Sequence, residues 1–120
     1  MADRPHPPPD IAPEQFFTEW IPRIVSEDPT RNARLGATDA VLEFNLEGEG
    51  GGAFQLHVRD GQVTGSVGPA KKPTLRLTLD VPTWRKLNSG ELAAPLAFIT
   101  RKVKLEGNLG LAMKLHFIIG

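Results

Sequence analysis

The 120-residue chain contains no cysteine, which excludes disulfide staples, thiol nucleophiles and thiolate metal sites. It also has no tyrosine, and only three histidines. No apolar run approaches the ~18 residues of a membrane-crossing helix. The N-terminus lacks the basic-then-apolar order of a secretory leader, so a cytoplasmic protein is expected. The last residues, Ile118-Ile119-Gly120, are not the Ser-Lys-Leu peroxisomal address. Net charge is absent too, since 14 Lys and Arg balance 14 Asp and Glu.

The charges are nevertheless unevenly spread. Residues 1–70 hold 5 basic against 11 acidic side chains, and residues 71–120 hold 9 against 3. A basic half of this kind can steer a protein toward an anionic membrane. The plainer reading is two solvated faces that cancel each other's charge.

Proline is abundant and concentrated. Pro5, Pro7, Pro8, Pro9 and Pro13 fall within residues 1–13. Such density denies helix hydrogen bonds, so this segment is expected to be a flexible tail preceding a domain over 14–120. From Glu14 onward, Phe16, Phe17, Trp20, Ile21, Ile24 and Val25 recur at three-and-four spacing, the mark of an amphipathic helix. Pro22 should kink or restart it, and Asp28-Pro29 should end it.

The period then changes to two. Strands are expected over Val41–Glu47, Ala53–Arg59, Gln62–Gly68, Thr74–Leu79 and Arg101–Leu105, each apolar on alternate residues. Gly48 to Gly52 reads as a hairpin loop and not a phosphate cradle, because it leads into a strand instead of a helix N-terminus. Asp60-Gly61 is a two-residue hairpin signal. Strands with one polar face describe a mixed or antiparallel sheet solvated on one side, with all helices on the other. A two-layer α+β domain follows. Its remaining helices are a segment capped by Asp80 and stopped at Ser89-Gly90, a short one over Leu92–Ile99, and a last one capped by Asn108.

Chemistry-bearing residues do not converge. His6, His57 and His116 have no metal-ligand spacing. Ser26, Ser66 and Ser89 lack a nucleophile-elbow context, and Asp80 and Glu91 are separated by a helix. A non-enzymatic protein with no cofactor is expected. Lys71, Lys72, Arg76, Lys102 and Lys104 lie near or on the sheet. Its exposed face offers no aromatic for base stacking, so nucleic acid is not an expected partner.

The stretch from Ala97 to Leu115 resembles the sterol carrier protein type 2 family of small lipid-binding domains. Ala97-Phe98, Lys102, Val103, Leu105, Gly107-Asn108, Ala112 and Lys114-Leu115 fit the family pattern. The upstream order of helix, Asp60-Gly61 hairpin, Leu75/Leu77/Leu79 strand and Trp84–Gly90 helix fits as well, so the resemblance spans residues 14–117. It implies a five-stranded sheet covered on one face by helices, with an apolar tunnel between the layers. Carried over, the tunnel lining falls on Trp84, Leu87, Phe98, Ile99, Val103, Leu105, Leu109, Met113 and Phe117. The implied function is binding and transfer of a fatty acyl, sterol-like or prenyl lipid. The alternative is an accessory module presenting a hydrophobic intermediate to partner enzymes, as some bacterial relatives do in quinone biosynthesis. Lys102 and Lys104, in the basic half, are the expected membrane contacts. Two positions depart from the pattern: Arg101 stands where a glycine is usual, and Ile99 where methionine is frequent. The missing peroxisomal signal points to a stand-alone, bacterial-type member.

Overall fold

The computed structural model describes residues 7–111. Its chain order is α1 (Pro13–Gln15), a π-helical turn (Phe16–Trp20), α2 (Ile21–Glu27), α3 (Pro29–Leu35), β1 (Ala40–Glu47), β2 (Gly52–Arg59), β3 (Gln62–Val67), β4 (Leu75–Asp80), α4 (Val81–Ser89), α5 (Ala94–Ile99) and β5 (Lys104–Gly107). The five strands form one mixed sheet in the order β3-β2-β1-β4-β5, in which β1 and β4 run parallel and the other neighbours antiparallel.

Alternation builds the inner face. Leu42, Phe44 and Leu46 on β1, Phe54, Leu56 and Val58 on β2, and Leu75, Leu77 and Leu79 on β4 are all buried. The N-terminal helical segment lies on them through Phe17, Ile21 and Val25. Each such side chain contributes ~1.5–3 kcal/mol on removal from water. Pro22 resolves its conflict with the helix just ahead of itself. The turn widens so that the Ile21 amide donates to the Phe16 carbonyl, five residues back, before the α-helix resumes. Phe16, Phe17 and Trp20 are all buried in that turn. Gly65 on β3 lets the helix approach closely, since a Cβ there would collide with the Phe17 carbonyl oxygen.

The turns follow their sequence signals. Asp60 and Gly61 both take positive φ, 53° and 75°, as a tight hairpin between twisted strands requires. Asp80 caps α4 by accepting from the Thr83 amide at 2.8 Å, and Gly90, at φ 85°, ends the helix. Asn108 accepts from the Leu111 amide at 3.1 Å, as a cap should.

Four features differ from the sequence expectation. The segment expected to be a free tail is packed at its far end: Ile11 is 5% exposed, and Arg85 Nη1 donates to the carbonyls of Pro9 and Ile11 at 2.9 and 2.7 Å. Helix α3 was not anticipated, because its stretch carries too few aliphatics to show a period; the Thr30 amide donates to the Asp28 carboxylate at its start. The last strand begins at Lys104, not Arg101. The amides of Arg101, Lys102 and Val103 turn back onto the carbonyls of Phe98 and Ala97, which withdraws these residues from the ladder. Finally, the outer face is not uniformly solvated. Glu43 is 3% exposed there, beneath the loop that follows β3.

Candidate functional site

The lining expected from sequence divides into residues that meet and residues that do not. Trp84 and Val103 belong to the buried core, and Leu87, Phe98 and Leu105 are half-buried hydrophobics packed against it. Trp84 and Leu87 stand one turn apart on α4, Phe98 is on α5, and Leu105 is on β5 opposite Leu77. Ile99 and Leu109, in contrast, are 77% and 58% exposed and form no part of that wall. Ile99 ends a helix whose inward contacts are made by Ala97 and Phe98. Leu109 directly follows the Asn108 cap, and Leu111, two residues on, is the buried one. Met113 and Phe117 lie outside the described residues.

Residue spacing does not reveal how far the N-terminal aromatics join this wall. Trp84 meets Phe16 edge-to-face at 5.2 Å between centroids and stacks with Phe17 at 6.3 Å. Phe17 in turn lies 4.7 Å from Phe44 and 5.1 Å from Phe54, and Phe16 stacks on Trp20 at 5.8 Å. Helix, sheet and α4 are thus joined by one aromatic cluster, each good pair adding ~0.5–1.5 kcal/mol beyond its burial. The signal was present as the three-and-four stripe of Phe16, Phe17 and Trp20, which reads equally well as simple core.

Charged groups lie at the periphery. A cleft of about 370 Å³ opens where β1 and β4 end, lined by Glu47, Asp80, Thr83, Arg101, Lys102 and Lys104 among others. Lys102 and Lys104 are exposed, as expected, and Lys104 pairs with Glu106 at 3.7 Å. The hydrogen bonds from the Thr83 side chain and amide, helped by the charges of Lys102 and Lys86, hold the Asp80 carboxyl below its usual range. A second cleft, of about 400 Å³, lies between α2 and β3 and is lined by Pro22, Arg23, Ser26, Gln62 and Val63. Among the described residues no group of three His, Cys, Asp or Glu is placed to hold a metal ion. No helix among them is long and apolar enough to cross a membrane.

The profile of the SCP-2 sterol transfer family matches residues 17–120. The hydroxysteroid dehydrogenase-like protein 2 of Xenopus tropicalis is 30% identical over 112 residues, 92% of this chain and 26% of that protein. Its Mus musculus counterpart is 34% identical over 95 residues, 78% of this chain and 19% of its own length. The chain therefore spans about a quarter or less of these relatives. Among solved structures, the sec-alkylsulfatase Pisa1 from Pseudomonas sp. superposes with a TM-score of 0.74 at 22% identity, covering 91% of this chain and 16% of the enzyme. Palmitated SCP2L2 from Aedes aegypti gives 0.66 at 24% identity, over 84% and 88% of the two chains. The UbiJ-SCP2 ubiquinone synthesis protein gives 0.64 at 13% identity, over 83% and 86%. In the dehydrogenase-like proteins and the sulfatase, the matched region is a minor part of a longer chain.

Proposed function

Since the chain belongs to the SCP-2 sterol transfer family, we propose that it is a non-catalytic lipid carrier of the cytoplasm. It holds one fatty acyl, sterol-like or prenyl ligand in an apolar tunnel between the sheet and the helices. The observation that carries this reading is the set of half-buried apolar side chains, Leu87, Phe98 and Leu105, at the margin of a core whose inner residues are sealed. A hydrocarbon chain covering them would extend the core without requiring any polar partner. Burial of about a dozen methylenes at ~0.8 kcal/mol each supplies ~10 kcal/mol before ordering costs. Such burial discriminates weakly between chains that differ by one methylene, so selectivity for length is broad.

In this reading the carrier delivers its lipid through the α5–β5 corner. Leu96 and Ile99 are exposed there beside Arg101, Lys102 and Lys104, the combination of aliphatic and cationic side chains that suits an anionic bilayer surface. The experiment is lipid extraction and native mass spectrometry of the purified protein. A co-purified lipid, or uptake of a fluorescent fatty acid, supports the reading; a protein that is empty and takes up none overturns it.

A second reading has its own support. The chain matches a minor portion of dehydrogenase-like proteins and shares its fold with a ubiquinone synthesis protein. In that reading it presents a hydrophobic intermediate to an enzyme. Co-purification of a biosynthetic enzyme, or prenylated phenols in the extract, would favour it over general transfer.

A further inference from the structure

Trp84 is 4% exposed, and its ring is held on several sides. Phe16 meets it edge-to-face, Phe17 stacks with it, and the Arg85 guanidinium carbon lies 4.8 Å from the ring centroid. Its Nε1 is nonetheless buried with no hydrogen-bond partner among the described residues. An indole nitrogen is a donor and nothing else, and buried donors in folded proteins almost always find an acceptor. Phenylalanine would fill an apolar wall without this deficit. A tryptophan here therefore carries a polar group that no described residue answers.

The same residue was assigned to the lipid site from sequence alone, on the α4 face it shares with Leu87. We propose that the Trp84 Nε1–H is the polar anchor of that site. It donates to an oxygen at one end of the bound hydrocarbon, whether carboxyl, ester, hydroxyl or quinone-type carbonyl. The carrier then selects oxygen-terminated lipids over bare hydrocarbons. Arg85 strengthens the donor, because a cation over the ring draws electron density from it. Arg85 is itself fixed by its bonds to the carbonyls of Pro9 and Ile11, so the N-terminal segment positions the anchor at one remove. This proposal rests on the lipid-carrier reading and adds to it the feature that reading lacked, a directional contact.

The test uses the full chain with indole-¹⁵N tryptophan and three probes of one length: dodecanoic acid, dodecanol and dodecane. There are two tryptophans, and Trp20→Phe assigns their signals. The Trp84 indole N–H signal is expected to move downfield with the acid and the alcohol and not with the alkane. Trp84→Phe, which keeps an aromatic ring, should bind the acid and the alcohol about tenfold more weakly, equivalent to ~1.4 kcal/mol, and the alkane as before. An indole signal that responds alike to all three probes overturns the anchor while leaving the carrier reading intact, and so does a Trp84→Phe protein with unchanged preference. The N–H would then serve an ordered water only. Failure of all three probes to bind overturns both. If Trp84→Phe does not fold, the unmodified protein's spectra decide.

Discussion

Arg76 on β4 donates from Nε to the Glu43 carboxylate on β1 at 2.7 Å, directly across the parallel pairing of the two strands. The same carboxylate accepts from the Asn45 side chain and the Ala70 amide, both at 2.8 Å, and Arg76 reaches on to Glu106 of β5 at 3.3 Å. A row of polar residues, Ser66, Gln55, Glu43, Arg76 and Glu106, therefore crosses all five strands in register on the outer face. It ties the acidic first half of the chain to the basic second half and closes the loop after β3 over the sheet.

Removing Arg76 should be costly, because it leaves a buried carboxylate without its cation. Arg76→Ala is expected to lower stability, by less than the loss of a fully buried cation would because Arg76 is itself partly exposed. The expected readout is a fall in Tm. Calorimetry of the variant checks it, and an unchanged Tm would show that the pair contributes nothing.

The pH dependence follows from the same group. Burial pushes the Glu43 carboxyl up, but the hydrogen bonds from Asn45, Ala70 and Arg76 outweigh it and hold the carboxyl below its ordinary 4.5. A depressed folded-state value means stability that is fully present above the unfolded value and lost as pH falls through the folded one. Resistance to urea should therefore weaken below about pH 4.5, and Glu43→Gln should flatten that acid limb while lowering stability at neutral pH. Parallel acid limbs for the two proteins would remove Glu43 as the cause.

Gly65→Ala should destabilise strongly, although it adds one methyl group. Its Cβ would run into the backbone of the π-helical turn at Phe17, which must shift off the sheet. A loss of ~1–3 kcal/mol is expected, typical of overpacking. Near-neutral behaviour in denaturant titration would mean that the helix can ride away from β3 freely.

Arg101 takes φ 62°, a left-handed conformation that costs an L-residue ~1–2 kcal/mol and glycine almost nothing. Arg101→Gly should raise stability by ~0.5–1 kcal/mol after the entropic penalty of glycine, and Arg101→Val should lower it. The tight helix-to-strand turn thus forms on an arginine in the left-handed region, under strain. Thermal melts of both variants test this, and a less stable glycine variant would contradict it.

Lys102→Glu combined with Lys104→Glu should slow transfer to anionic vesicles at low salt and leave lipid binding intact. Both side chains are exposed and away from the apolar wall. The difference should fade as salt screens the surface. A stopped-flow transfer assay with neutral and anionic vesicles measures it, and equal rates at low salt would count against delivery by this corner.

Much of the fold is legible in residue order. Alternation over β1, β2 and β4 is a property of residue order, and so are the caps at Asp80 and Asn108, the stop at Gly90 and the Asp60-Gly61 hairpin. These depend on contacts a few residues apart. Family membership also came through, because its pattern lies in local order from Ala97 to Leu115. What local order could not express was which positions long-range packing would bury. Ile99 and Leu109 are as apolar as Phe98 and Leu111, yet the turn after α5 and the cap at Asn108 leave the first two in water. Glu43 sits on a polar face by its spacing, and only an arginine from a strand 33 residues later makes its burial tolerable. The start of β5 moved by three residues because amides 101–103 found acceptors in α5 first. The Trp84 nitrogen belongs with these: residue order supplied the indole, and tertiary packing alone enclosed its N–H with no acceptor among the described residues.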